Sequence, residues 1–141
     1  MQILVYSRSA LDAVRPHEVP HVMISITSHV DDVARLRINE MCRGVLRLSF
    51  PDAEFPSDLH TEDSLFSRQQ AEEIWTFTQQ HVSEIERIIV HCDAGISRSP
   101  AVAAALARVL NDDDAEFFGG QYRPNRRVYR FLLEARPPSL R

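Results

Sequence analysis

Apolar and polar positions divide the 141-residue chain into short β-rich runs and longer stretches of helical spacing. Residues 3–6, 22–26, 45–50 and 87–90 are rich in Ile, Val and Leu and are bounded by polar or Pro-containing segments, which predicts four strands. Residues 31–42 place Val33, Leu36, Ile38 and Met41 among charged residues and stop at Gly44, which predicts a helix. A second helix is predicted over 64–81, with Phe66, Ile74 and Phe77 on one face and Trp75 one position off. Residues 99–110 are apolar nearly all round, as in a buried helix, and 125–134 form a last amphipathic one. The polar stretches around Pro16 and Pro20, over 51–63 and over 111–120 read as loops. Strands alternating with helices predict one α/β domain over 1–141. Its sheet should have four or five mainly parallel strands, with helices on both faces.

Composition narrows the function only by exclusion. A net charge of −4 argues against nucleic-acid or anionic-membrane partners. No apolar run approaches membrane-spanning length, and the first residues read as a strand, not as a signal peptide. Cys42 and Cys92 lie far apart and give no disulfide framework, which fits a reducing, cytoplasmic setting.

The candidate chemistry sits in the run His91-Cys92-Asp93-Ala94-Gly95-Ile96-Ser97-Arg98-Ser99, between a predicted strand and a predicted helix. In such a loop the backbone N–H groups of Asp93, Ala94, Gly95, Ile96, Ser97 and Arg98 curl inward, and the helix N-terminus adds partial positive charge. Arg98 can turn back with two parallel donors for an oxyanion. The same field favours a thiolate at Cys92 and makes it a nucleophile. An anion cradle, a bidentate cation and a nucleophile on one loop suit a phosphate monoester. A buried cysteine of purely structural use would not need Gly95 or a charge at the mouth of an apolar helix.

HCDAGISRSP resembles the signature of the cysteine-dependent protein tyrosine phosphatases, in particular the small dual-specificity branch of bacterial or phage type. The likeness extends through the helix after Pro100, and to Arg123-Pro124-Asn125 with the aromatic-bearing helix that follows. Upstream it reaches Leu46-Arg47-Leu48-Ser49-Phe50-Pro51-Asp52, so it covers roughly residues 45–135. It implies a metal-free, cofactor-free hydrolase acting on phosphorylated protein, phosphotyrosine above all, or on a small phosphomonoester, through a cysteinyl-phosphate. In that family a carboxylic acid on a loop overhanging the cysteine protonates the leaving group. Asp52 matches its placement, although the interval to Cys92 is longer than usual for dual-specificity enzymes and points toward Asp58 or Asp63. The resemblance also gives His91 the part of loop organiser, donating to a loop carbonyl. Ser99 becomes a donor to the departing thiolate, and Asn125 either a brace on the loop or the cap of the last helix. With only Arg98 for positive charge, the loop disfavours inositol lipids.

Two other readings stand beside this one. The chain could be a non-catalytic phosphate-binding module, or it could reduce an oxyanion such as arsenate, with Cys42 as the resolving thiol. Asn111-Asp112-Asp113-Asp114 lacks the spacing of a calcium loop, and the histidines form no zinc pattern, so no metal is expected. Arg123, Arg126, Arg127 and Arg130 form a local basic patch able to steer an acidic phosphosubstrate.

Overall fold

The computed structural model describes residues 1–140. Four strands, β1 (Gln2–Ser7), β2 (His21–Thr27), β3 (Cys42–Ser49) and β4 (Arg87–Cys92), form one sheet in the order β1-β4-β2-β3, with every pair parallel. Helices α1 (Arg8–Ala13), α2 (Arg68–His81), α3 (Arg98–Asn111) and α4 (Arg126–Glu134) connect and cover it. Among the described residues no helix is long and apolar enough to cross a membrane.

Side chains alternate across a strand, so the sheet has two apolar faces. Val22, Ile24, Ile26, Ile88 and Val90 join Trp75, Phe66, Leu106 and Leu132 in the main core beneath α2, α3 and α4. The five alanines of α3 within 101–107 are all buried, and their short side chains let that helix lie close on the sheet. Trp75 is buried, and its indole N–H donates to the Leu132 carbonyl, 2.8 Å away, so its ring adds apolar area without stranding a polar atom. Met23 and Ile89 face the other way and meet Leu11 of α1 in a much smaller cluster.

Three parts of the prediction differ from the structure. Residues 31–41 contain no helix and run as an irregular crossover between β2 and β3. Their apolar residues do not fall on one helical stripe: Val33 and Ile38 are 63% and 56% exposed, whereas Ala34 between them is buried. The backbone is held by side chains instead, with Arg47 donating to the Ala34 carbonyl and Asn39 bonding both Met41 N–H and the His17 carbonyl. Asn favours such local bonds over a helical ladder. Conversely, a short helix, α1, stands where a polar connection was expected, capped by the Ser7 hydroxyl on Ala10 N–H. Helix α2 starts at Arg68, four residues later than predicted, because Ser67 and Gln70 form a capping box there.

Candidate active site

Strand β4 ends at Cys92 and α3 begins at Arg98, so the signature run is the turn between them, at the carboxyl edge of the sheet. The turn is closed by backbone geometry. Gly95 has φ of +71°, and a Cβ there would lie 2.7 Å from the Ser7 nitrogen, so only glycine fits against the end of β1. Asp93 C=O accepts from Arg8 N–H at 3.1 Å, while Ile96 and Ser97 carbonyls accept from Arg123 and Asn125 amides at 2.8 and 3.0 Å. Both flanks of the loop are thus tied to other parts of the chain.

The loop converges on a sulfur. The N–H groups of Gly95 and Ser99 point at Cys92 Sγ from 3.3 and 3.5 Å, and Ser99 Oγ lies 3.0 Å from it. The thiol is buried, with these two N–H groups aimed at its sulfur. Arg98 is also buried. Its Nη1 donates to the Phe50 carbonyl and to Ser28 Oγ, both at 2.9 Å, and its Nη2 is 3.5 Å from Asp93. One edge of the guanidinium is therefore fixed by the residues that follow β3 and β2. Asp93 is shared with Arg8, 3.6 Å away, which is itself held bidentately by Asp32.

Asp52 comes to the same rim. Its Oδ1 accepts from Ser97 Oγ at 2.8 Å and from Asn125 Nδ2 at 2.9 Å. Asn125 takes the part of helix cap, its Oδ1 accepting from Val128 N–H, while its Nδ2 braces Asp52 and Ala53 and only its backbone amide meets the signature loop, at the Ser97 carbonyl. Asp58 and Asp63 are exposed, and neither side chain bonds to another described residue.

His91 stands on β4 itself. Being one residue before Cys92 on a strand, its ring points to the opposite face of the sheet, where Nε2 meets Ser25 Oγ at 2.6 Å. Nδ1 is sealed from solvent with no well-formed hydrogen bond, and the Cys92 backbone beside the ring favours its charged form. The bond to Ser25 on β2 was not foreseen, and the interaction with the Cys92 backbone lies where the resemblance put a donation to a loop carbonyl. Burial holds the ring below the ordinary imidazole value, helped by the charges of Arg8 and Arg47.

Solved structures share this arrangement of strands and helices. PTPMT1 in complex with PI(5)P superposes with a TM-score of 0.56 at 18% identity, over 95% of this chain and 89% of that one. Cydia Pomonella PTP-2 phosphatase gives 0.55 at 18%, over 95% and 85%. The human tyrosine phosphatase-like serine/threonine/tyrosine-interacting protein gives 0.54 at 18%, over 80% and 74%. The chain has the tyrosine-phosphatase fold. No protein-family model matches it, and no curated protein is similar enough in sequence to count as a relative.

Within the tyrosine-phosphatase fold, Cys92, Arg98, Ser99, Gly95, Ser97 and Asp52 lie together, as the sequence suggested. Ser25 and Ser28 were not foreseen. They are small polar residues in or just after an apolar strand, and only the position of β2 beside β4 gives them partners. Cys42 is remote. It pairs in register with His21, which is level with Arg87 at the far end of β4 from Cys92. Five residues of strand put it about 17 Å away along the sheet, beyond any disulfide without rearrangement.

Proposed function

We propose that this protein hydrolyses phosphate monoesters through a cysteinyl-phosphate intermediate, with phosphotyrosine in proteins as the favoured substrate class. The observation that carries the reading is the ring of donors on Cys92 Sγ, with Arg98 anchored beside it. Cys92 Sγ attacks phosphorus as the P–O bond to the leaving group breaks. Asp52, entering as the carboxylic acid, gives its proton to the departing oxygen. Loop amides and Arg98 hold the equatorial oxygens throughout. Asp52, now a carboxylate, then takes a proton from water as the water attacks phosphorus and the P–S bond breaks. Ser99 Oγ, already 3.0 Å from sulfur, hydrogen-bonds the thiolate that leaves.

The fold supports a phosphatase in general terms, and the residues support the mechanism. The remote position of Cys42 weighs against the arsenate reading, which needs a resolving thiol near Cys92. A short quench of enzyme with an aryl phosphate, followed by mass spectrometry of the Cys92 peptide, should find one added phosphoryl group. Turnover without that adduct, or turnover abolished by chelators, would replace this mechanism with a metal-assisted one. Oxyanion binding with no turnover would make the protein a phosphate-binding module.

A further inference from the structure

One carboxylate stands against the edge of Arg98 that the proposed chemistry needs. Nη1 is committed to the Phe50 carbonyl and Ser28 Oγ, so the edge left for an oxyanion carries Nη2. Asp93 Oδ2 lies 3.5 Å from that nitrogen, and its Oδ1 lies 3.6 Å from Arg8 Nη1. Both separations exceed the roughly 2.7–2.9 Å of a charge-assisted hydrogen bond. Two guanidiniums thus share the carboxylate and neither binds it tightly. Its side chain is 46% exposed, which leaves it room to turn.

The sheet puts Arg8 in place. Ser7, the last residue of β1, is level with Cys92 of β4, so the next residues, Arg8 and Asp93, leave the sheet side by side. The Arg8 N–H donates to the Asp93 carbonyl at 3.1 Å, which keeps the two from drifting apart. Asp32 takes Arg8 Nη1 and Nη2 at 2.8 and 2.9 Å and fixes the side chain without exhausting its five N–H donors. Arg8 can therefore accept a second carboxylate.

We infer that Asp93 is a counter-ion on Arg98 which the substrate displaces, and that Arg8 is the positioning residue that receives it. The inference rests on the phosphatase reading and adds two side chains to its binding step. A phosphate entering the loop takes the Nη2 edge, and its charge repels a carboxylate left 3.5 Å from that nitrogen. Turning toward Arg8 relieves the repulsion and gives Asp93 a full ion pair there. Arg98 does not need Asp93 for its own orientation, because Nη1 already has two acceptors. Removing the Asp93 charge should therefore strengthen oxyanion binding, and removing Arg8 should weaken it.

The test is a cycle of D93N, R8Q and R8Q/D93N, read as KM for an aryl phosphate and as the affinity of inorganic phosphate by calorimetry. At low salt D93N should lower KM and tighten phosphate binding by about three- to tenfold. R8Q should raise KM and weaken phosphate binding by a similar factor. In the D93N background the loss of Arg8 should have almost no further effect, since no carboxylate is left to receive. An Arg8 that only supported α1, or drew phosphate by its own charge, would weaken binding equally in both backgrounds, and that result overturns the inference. Weaker phosphate binding in D93N also overturns it, by making Asp93 a support for Arg98. So do changes carried by kcat with KM unmoved. Should R8Q fail to fold, R8M, which keeps the apolar stem, takes its place in the cycle. If the wild type turns over nothing, the phosphatase reading fails, and phosphate affinity across the four proteins still decides whether Asp93 and Arg8 act as stated.

Discussion

The signature loop and the segment over 51–63 meet at Asp52, yet they are secured by different means. The loop is fixed by backbone and buried groups: a glycine pressed on β1, amides aimed at sulfur, and an arginine bonded to a main-chain carbonyl. The acid-bearing segment is largely exposed, with Phe55 and Leu59 at 74% and 87%. It is pinned by polar contacts that come mostly from the start of α4: Asn125 to Asp52 and Ala53, the Arg126 amide to Glu54, and Arg127 to Glu62. The proposed nucleophile needs a preorganised field, and the buried loop supplies one. An acid needs a position that a few hydrogen bonds can hold or release, and the exposed segment supplies that.

Substitutions on the loop side should have the largest effect. Cys92→Ser should remove aryl phosphate turnover while oxyanion binding, followed by calorimetry, survives. Arg98→Lys should lower kcat/KM by about 10²–10³-fold, since one ammonium cannot replace a planar two-pronged donor. A variant at either position that keeps near wild-type rates would contradict the assignment of chemistry to the loop.

The acid side should respond in proportion to the leaving group. Asp52→Asn is expected to cost about 10²–10⁴-fold on a poor leaving group and much less on an activated aryl phosphate. Asp58→Asn and Asp63→Asn should leave both rates nearly unchanged. Should one of them show the leaving-group dependence instead, the acid is misassigned and the loop chemistry stands. A smaller effect is expected at Asn125, where two roles can be separated. Asn125→Ser keeps a capping oxygen and loses the donor to Asp52, so it should slow only the poor leaving group. Asn125→Ala should also lower stability, by about 0.5–2 kcal/mol.

The smallest effect concerns pH. His17 and His91 both titrate below the ordinary value, His17 through burial and the nearby Arg87 and His21, and His91 through burial first. The unfolded chain therefore takes up protons near pH 6.5 that the folded chain refuses. Stability should be full above that value and decline as pH falls through it. Thermal melts at pH 7.5 and 5.5 should show a lower Tm in acid, and His91→Asn and His17→Asn should each flatten the difference. An unchanged Tm would mean that these rings titrate freely.

Local chemistry made most of this legible beforehand. The β-branched runs marked four strands, the alanine-rich stretch marked α3, and the signature run marked the site, because each is a pattern within a few adjacent residues. What stayed hidden depends on partners distant in sequence. Val33, Leu36, Ile38 and Met41 resembled a helix until Arg47 and Asn39 claimed the backbone. Ser28 and Ser25 acquire meaning only through Arg98 and His91, 70 and 66 residues away.

The strand order also has a consequence for the order of assembly. β4 is interior, yet it is the last strand to be made: β1 pairs only with β4, and β2 joins β1's side of the sheet only through it. During synthesis β2 and β3 can pair early, but β1 stays unmatched until residue 92 has left the ribosome. Such non-local pairing slows folding and leaves strand edges open in the meantime. Cys92 arrives with the strand that closes the sheet, so in a nascent chain the turn proposed to hold the phosphate cannot form before the fold is nearly complete.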